Sequence, residues 1–406
     1  MDECPYVLDR TGSDLPGEAK KLRARGPVTR VELHGGYTAW SVTGYETAKQ
    51  LLVDPRIAKN TKDNWPEFRE GRVPQDWELY TWVAMDNMQT RDGQEHDRLR
   101  KLVAQAFTGR QVAKSRPIIE GIVHRLLDDL ATVPADEVVD IKARFFYPLS
   151  TILICDLLGI PEEDQEAMLH GAVVNARTTN TAEESEANLH QWQSAIGQLV
   201  EAKRREPGDD LTTIIIKASE DDQAPLTDDE VIGSLHLLIG GGTETTSNVL
   251  CHTVVDLLTH PEQLAMIRSG AVGWEAAWDE EIRKDGAVGS MPFRCAIDDI
   301  EIGGVTIAKG DLVLINYLAT GQDPEKYGDT AAEFDITRAD KSSLSFGYGR
   351  HRCLGPALAT MEAMVALPAL FERFPDLMLA VPASELKPAA TFIFNGYAEV
   401  PLLLTG

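Results

Sequence analysis

The sequence predicts a mainly α-helical protein with small β-sheets, an α+β arrangement in one domain spanning residues 1–406. Three observations carry this prediction: strand character near the N-terminus, a long helical middle, and strand character again towards the C-terminus. Val28 to Val42 places apolar and β-branched residues on either side of Gly35-Gly36, a pair suited to a tight hairpin. From about Asp92 to Lys284 the apolar spacing becomes three to four residues, as in Ile118–Ala131, Ala187–Lys203 and Asp228–Leu258. The apolar run Leu149 to Ile160 reads as a buried core helix, being broken by Asp156 and too short for the roughly 20 residues that span a bilayer. Asp298 to Tyr317 returns to strand character around Gly303-Gly304, and the last thirty residues alternate apolar runs with Gly and Pro. Pro207 to Asp210 and Ser219 to Pro225 read as loops. No internal repeat, low-complexity tract or linker divides the chain.

Composition narrows the function classes. With 43% hydrophobic and 25% charged residues the chain can bury a large core. Its net charge of −25 opposes nucleic-acid and anionic-membrane binding, which depend on Lys and Arg, and suits solubility. Met1 to Arg25 carries Asp2, Glu3, Asp9, Asp14 and Glu18 and no apolar stretch of signal length, so a cytoplasmic protein is expected. The cysteines are Cys4, Cys155, Cys251, Cys295 and Cys353. An odd number without a CxxC pair argues against a disulfide framework and a structural zinc site, so any thiol chemistry falls to a single residue.

Two segments carry chemistry. Phe346 to Ala357 reads FGYGRHRCLGPA, in which Gly347, Gly349 and Gly355 let the backbone turn sharply and approach a flat ligand. The residues after Cys353 look helical, which sets the sulfur at a helix N-terminus where a thiolate is favoured. The alternative is an inert buried cysteine in a glycine-rich turn. Leu235 to Asn248 reads LHLLIGGGTETTSN. Three consecutive glycines in a helix cost about 1 kcal/mol each relative to alanine, so something requires the missing side chains. Glu244 and Thr245 flank the gap they open; a close helix crossing is the alternative.

The cysteine loop resembles the haem-binding motif FxxGxxxCxG of the cytochrome P450 family, matching at Phe346, Gly349, Cys353 and Gly355. Further segments match in order, so the resemblance runs from about Asp86 to Gly396. Glu280 and Arg283 in EEIR match the family's ExxR, and Arg338 in FDITR fits the arginine of the later meander. The resemblance implies a structural charge network that holds the cysteine loop. His96 and Arg100 in HDRLR, with Arg294 and His351, match the donors to the haem propionates. Gly241, Glu244 and Thr245 match the oxygen-activation motif AGxET, with Gly241 where alanine is usual. Two departures stand out: KDGAVGSMPFR is richer in glycine than the usual continuation, so the pocket strand is expected to be displaced or mobile, and Gln322 replaces a common arginine.

The resemblance implies haem b held by Cys353, O2 as co-substrate, and electrons from NAD(P)H through a separate ferredoxin and ferredoxin reductase. The activity implied is oxidation, chiefly hydroxylation, of a hydrophobic small molecule of secondary metabolism such as a macrolide, steroid or cyclic peptide. Oxidative C–C or C–N coupling by the same haem is the alternative, and a haem protein that only binds or senses a ligand is a third reading that Glu244-Thr245 speaks against. The pocket is expected to be lined by Val83, Met88, Leu237, Leu238, Gly241, Val288, Met291, Phe293, Phe392, Ile393 and Phe394, the lid to lie in residues 162–203 with TTNTAEES as a flexible tip, and the donor face to carry Arg98, Lys101, Arg110, Arg350 and Arg352.

Overall fold

The computed structural model describes residues 4–220 and 224–404. Its larger sheet draws on both ends of the chain. The strands are β1 (Tyr6–Val7), β2 (Val28–Glu32), β3 (Thr38–Val42), β4 (Ile57–Ala58), β5 (Ser290–Ala296) and β6 (Leu312–Asn316), in spatial order β1-β2-β3-β6-β5-β4. The expected hairpin is β2 with β3, in register from Val28↔Val42 to Glu32↔Thr38. A second hairpin, Ile300–Ile302 with Val305–Ile307, turns on Gly303 and Gly304 at φ +59° and +80°, a region that favours glycine. Residues Val138–Asp140, Pro401–Leu403 and Met378–Leu379 form a small third sheet.

Between these strands run the helices that build the site: α1 (Gly93–Ala104), α2 (Gly109–Leu130), α3 (Tyr147–Leu158), α4 (Ala182–Arg205), α5 (Asp228–Thr259), α6 (Trp274–Lys284) and α7 (Pro356–Arg373). The longest, α5, starts with a reciprocal cap: Thr227 Oγ1 accepts from the Glu230 N–H, and Glu230 accepts from the Thr227 N–H. Leu149 to Ile160 is mostly α3, buried as expected. Two expected loops are shorter than foreseen. Ser219 and Glu220 belong to the helix Leu211–Glu220, while residues 221–223 of that stretch lie outside the described residues. The second half of the TTNTAEES tip, Ala182 to Ser185, is helical, with Thr181 and Glu184 forming the same capping box at the start of α4.

β5 stays in the sheet, paired antiparallel with β6, so glycine enrichment ahead of it has not displaced it. Its register shifts between Met291 and Arg294. Among the described residues no single helix is long and apolar enough to cross a membrane.

Candidate active site

The cysteine loop hangs between α6 and α7. Gly347 and Gly349 take φ +74° and +73°, and a Cβ on Gly349 would lie 2.7 Å from Val53, so neither position tolerates a side chain. The Cys353 N–H donates to the Phe346 carbonyl at 2.8 Å, and the Gly355 N–H points at Cys353 Sγ at 3.2 Å. α7 begins at Pro356, so the sulfur lies at a helix N-terminus. The sulfur is open on the side of a cavity with about 1500 Å³ of empty space, its mouth included. Burial pushes the Cys353 thiol pKa up, and the Gly355 N–H, Arg100 and Arg352 only partly oppose it.

The loop is tied down from behind. Glu280 and Arg283 on α6 are fully buried and form a two-point pair at 2.6 and 2.9 Å. Arg338 Nε joins Glu280 at 3.0 Å, and Arg283 donates to the carbonyls of Gly321 at 2.7 Å and Ala331 at 2.6 Å. Ser345, just before Phe346, donates to the Ile282 carbonyl at 2.6 Å, which links this network to the cysteine loop.

The cavity gathers basic side chains. His96, Arg100, Arg294 and His351 all line it, the two imidazoles 4.3 Å apart between centroids. Lys59 joins them, buried, donating to the Phe293 carbonyl at 3.0 Å. Burial lowers the His96 pKa, takes His351 to about 4, and with Arg294 holds Lys59 well below its ordinary value, although Asp92 opposes this for Lys59 and His351. So many donors around one apolar cavity suit a ligand bearing two carboxylates, and a haem with its propionates fits that chemistry.

On α5, two of the three consecutive glycines do separate things. A Cβ on Gly241 would meet nothing within 4 Å, so that position opens onto the cavity. On Gly242 it would fall 2.3 Å from Ile154 of α3, so here the helices pack too closely for a side chain. Thr245 lines the cavity and its hydroxyl donates to the Gly241 carbonyl at 2.7 Å. Glu244 does not line it. Adjacent helix residues point about 100° apart, and Glu244 turns to Lys142, 3.6 Å away, with 17% of its side chain exposed.

Of the expected pocket residues, Met88, Leu237, Leu238, Gly241, Val288 and Met291 line the cavity. Val83, Phe293, Phe392, Ile393 and Phe394 do not; all five are packed in the hydrophobic core beside the larger sheet. The register shift in β5 explains Phe293: it breaks the alternation that would have put Met291 and Phe293 on one face, so Arg294 faces the cavity and Phe293 stacks on Trp77 at 5.7 Å. Residues 392 and 393 accept backbone hydrogen bonds from Ser290 and Gly289, and Phe394 packs on Trp82 at 6.2 Å. Val83 is fully enclosed among the same core residues. Sequence reasoning missed Lys59, Gln89 and Tyr317, which line the cavity from segments with no motif. In the expected basic face, Arg98 pairs with Glu230 at the start of α5 and Arg350 with Asp97 at 3.4 Å, and Lys101, Arg110, Arg350 and Arg352 are exposed.

A family model described as Cytochrome P450 matches residues 179–270 and 275–385. The chain is 48% identical to 2-hydroxy-5-methyl-1-naphthoate 7-hydroxylase of Streptomyces carzinostaticus, over 99% of this chain and 98% of that one. It is 37% identical to 6-deoxyerythronolide B hydroxylase of Saccharopolyspora erythraea, over 95% of each. Among solved structures, CYP154C4 from Streptomyces sp. W2061 superposes with a TM-score of 0.95 at 40% identity, covering 99% of this chain and 98% of that one. A cysteine loop braced by a buried ExxR network, opposite a glycine-opened helix, together with full-length likeness to named hydroxylases, leads to one conclusion: the chain belongs to the cytochrome P450 family and is a monooxygenase.

Proposed function

We propose that the protein hydroxylates a flat, largely apolar fused-ring metabolite inside the cavity between Cys353 and α5. The carrying observation is that Cys353 and Thr245 line one apolar cavity, with Met88, Leu237, Leu238, Val288 and Met291 beside them. Gln89 is the uncharged amide on that wall, its Nε2 3.5 Å from Met291 Sδ, placed to hold one polar group of the substrate. The naphthoate hydroxylase relative supports a fused aromatic ring as the substrate class.

The roles follow from position. Cys353 would hold the haem iron, with Phe346 and Gly355 shaping the loop around the sulfur. His96, Arg100, Arg294, His351 and, in addition, Lys59 would fix the propionates. When bound, the haem supplies oxygen activation and the oxidation of a C–H bond, drawing on O2 and two electrons. Thr245 would hold a proton donor at the distal side of the cavity. Glu244, paired with Lys142 and partly open to solvent, would pass protons towards Thr245 from outside the cavity. Electrons would come from NAD(P)H through a ferredoxin reductase and an acidic ferredoxin docking over Lys101, Arg110, Arg350 and Arg352. We take residues 1–406 as a single domain working in the cytoplasm.

The test is to titrate haem-loaded protein with hydroxynaphthoic acids, steroids and macrolide aglycones, following the optical shift of the haem and then the products. Naphthoic acids should give the largest shift and a product that gains one oxygen atom. A product that loses hydrogens without gaining oxygen would favour coupling, and binding confined to macrolides would overturn the substrate class.

A further inference from the structure

A second polar centre lies away from the cavity, where α5 crosses α6. Asn248, His252 and Asp256 follow one another at four-residue spacing and share one face of α5. Across from them are Glu281 and Lys284 on α6 and Asp285 just after it. Asn248, His252, Glu281 and Asp285 are all buried. Lys284 Nζ reaches Asp256 at 2.7 Å and also pairs with Asp285.

Lys284 does not match the carboxyl groups around it: Asp256, Glu281 and Asp285 are three against its one ammonium, which pairs with Asp256 and Asp285. Nor are the polar atoms satisfied. Among the described residues, neither oxygen of Glu281 nor Nε2 of His252 has a hydrogen-bond partner, and both side-chain polar atoms of Asn248 are likewise unpaired. One ligand atom each from His252, Glu281 and Asp285 lie within 4.8 Å of one another.

We propose that His252, Glu281 and Asp285 form a structural site for a divalent transition-metal ion, for which zinc is the chemical match. One imidazole nitrogen and two carboxylate oxygens suit zinc at about 2.0–2.2 Å, so the three ligand atoms need to close in by at most about 1.5 Å. A 2+ ion would take Glu281 and Asp285 as anionic ligands, leaving Lys284 to Asp256. The surrounding contacts hold the ligands in place: Gln322 Nε2 donates to Asp285 at 3.1 Å, and the Tyr397 ring packs 4.5 Å from the His252 ring. Asn248 or a water would complete the coordination. The ion would clamp α5 to α6, the helix whose Glu280 and Arg283 brace the cysteine loop. The absence of paired cysteines does not bear on this site, because no cysteine takes part.

The experiment uses haem-loaded full-length protein produced with Zn2+ in the medium and passed over a chelating resin. Elemental analysis should find one zinc ion per chain besides the haem iron, and zinc K-edge absorption should show a nitrogen and oxygen shell containing an imidazole. His252→Gln and Glu281→Gln should lose the zinc, and with it the rise in unfolding midpoint that added Zn2+ gives the unaltered protein. Zinc-free protein, a sulfur-containing shell, or equal zinc in both variants would each overturn the site. Should the variants fail to fold, the absorption spectrum of the unaltered protein decides alone.

Discussion

Thr245 and Glu244 are neighbours in sequence, yet they meet different surroundings: the hydroxyl faces the cavity and the carboxylate faces Lys142. Loss of the hydroxyl should therefore redirect the reaction, since a positioned proton relay contributes about 10²–10⁴-fold to such a step. In Thr245→Ala, NADPH consumption should persist while product falls and hydrogen peroxide rises; an unchanged ratio of product to NADPH would remove Thr245 from oxygen activation. At this scale the sequence was readable where spacing carries the meaning, as in Phe346, Gly349, Cys353 and Gly355. It was misleading where a side chain's direction depends on a neighbour's geometry. Phe293 reads as a pocket residue until the register shift between Met291 and Arg294 turns it into the core. Lys59 carries no signal at all, because a single lysine in a loop looks like a solvated surface group until the fold buries it.

Among the elements, α5 shows how one motif answers two needs. The competing readings of its glycines, an opening at the site and a close helix crossing, are both realised, at Gly241 and Gly242 respectively. The ExxR pair was legible on α6 because i, i+3 spacing places both residues on one face, but the carbonyls of Gly321 and Ala331 that complete it come from a distant stretch without sequence signature. Removing one partner strands a buried charge, at a cost of about 3–5 kcal/mol. Glu280→Ala should accordingly yield little haem-loaded protein, measured as the ratio of haem absorbance to protein. Normal haem content in that variant would mean that the network does not support the loop. The larger sheet follows the same lesson: its hairpin was readable locally, whereas the parallel pairing of β3 with β6 joins residues about 270 apart and leaves no local trace.

For the molecule as a whole, net charge and local charge point in opposite directions. A chain of −25 carries exposed Lys101, Arg110, Arg350 and Arg352, the residues proposed to receive the electron donor. Exposed charges act mainly on encounter rate, so Lys101→Gln, Arg110→Gln and Arg350→Gln should each slow reduction by a ferredoxin at low salt while substrate affinity holds, with the difference shrinking as salt rises. Arg98→Gln should act otherwise, loosening the start of α5 by removing the partner of Glu230. An unchanged reduction rate in all three exposed variants would place the donor elsewhere. Everything in this account depends on the sulfur that faces the cavity, and the CO adduct of the reduced haem reads that ligand directly. The unaltered protein should show the red-shifted band of thiolate ligation and Cys353→Ser should lose it, serine being a harder and poorer donor; a thiolate-type band that survives in Cys353→Ser would contradict the assignment.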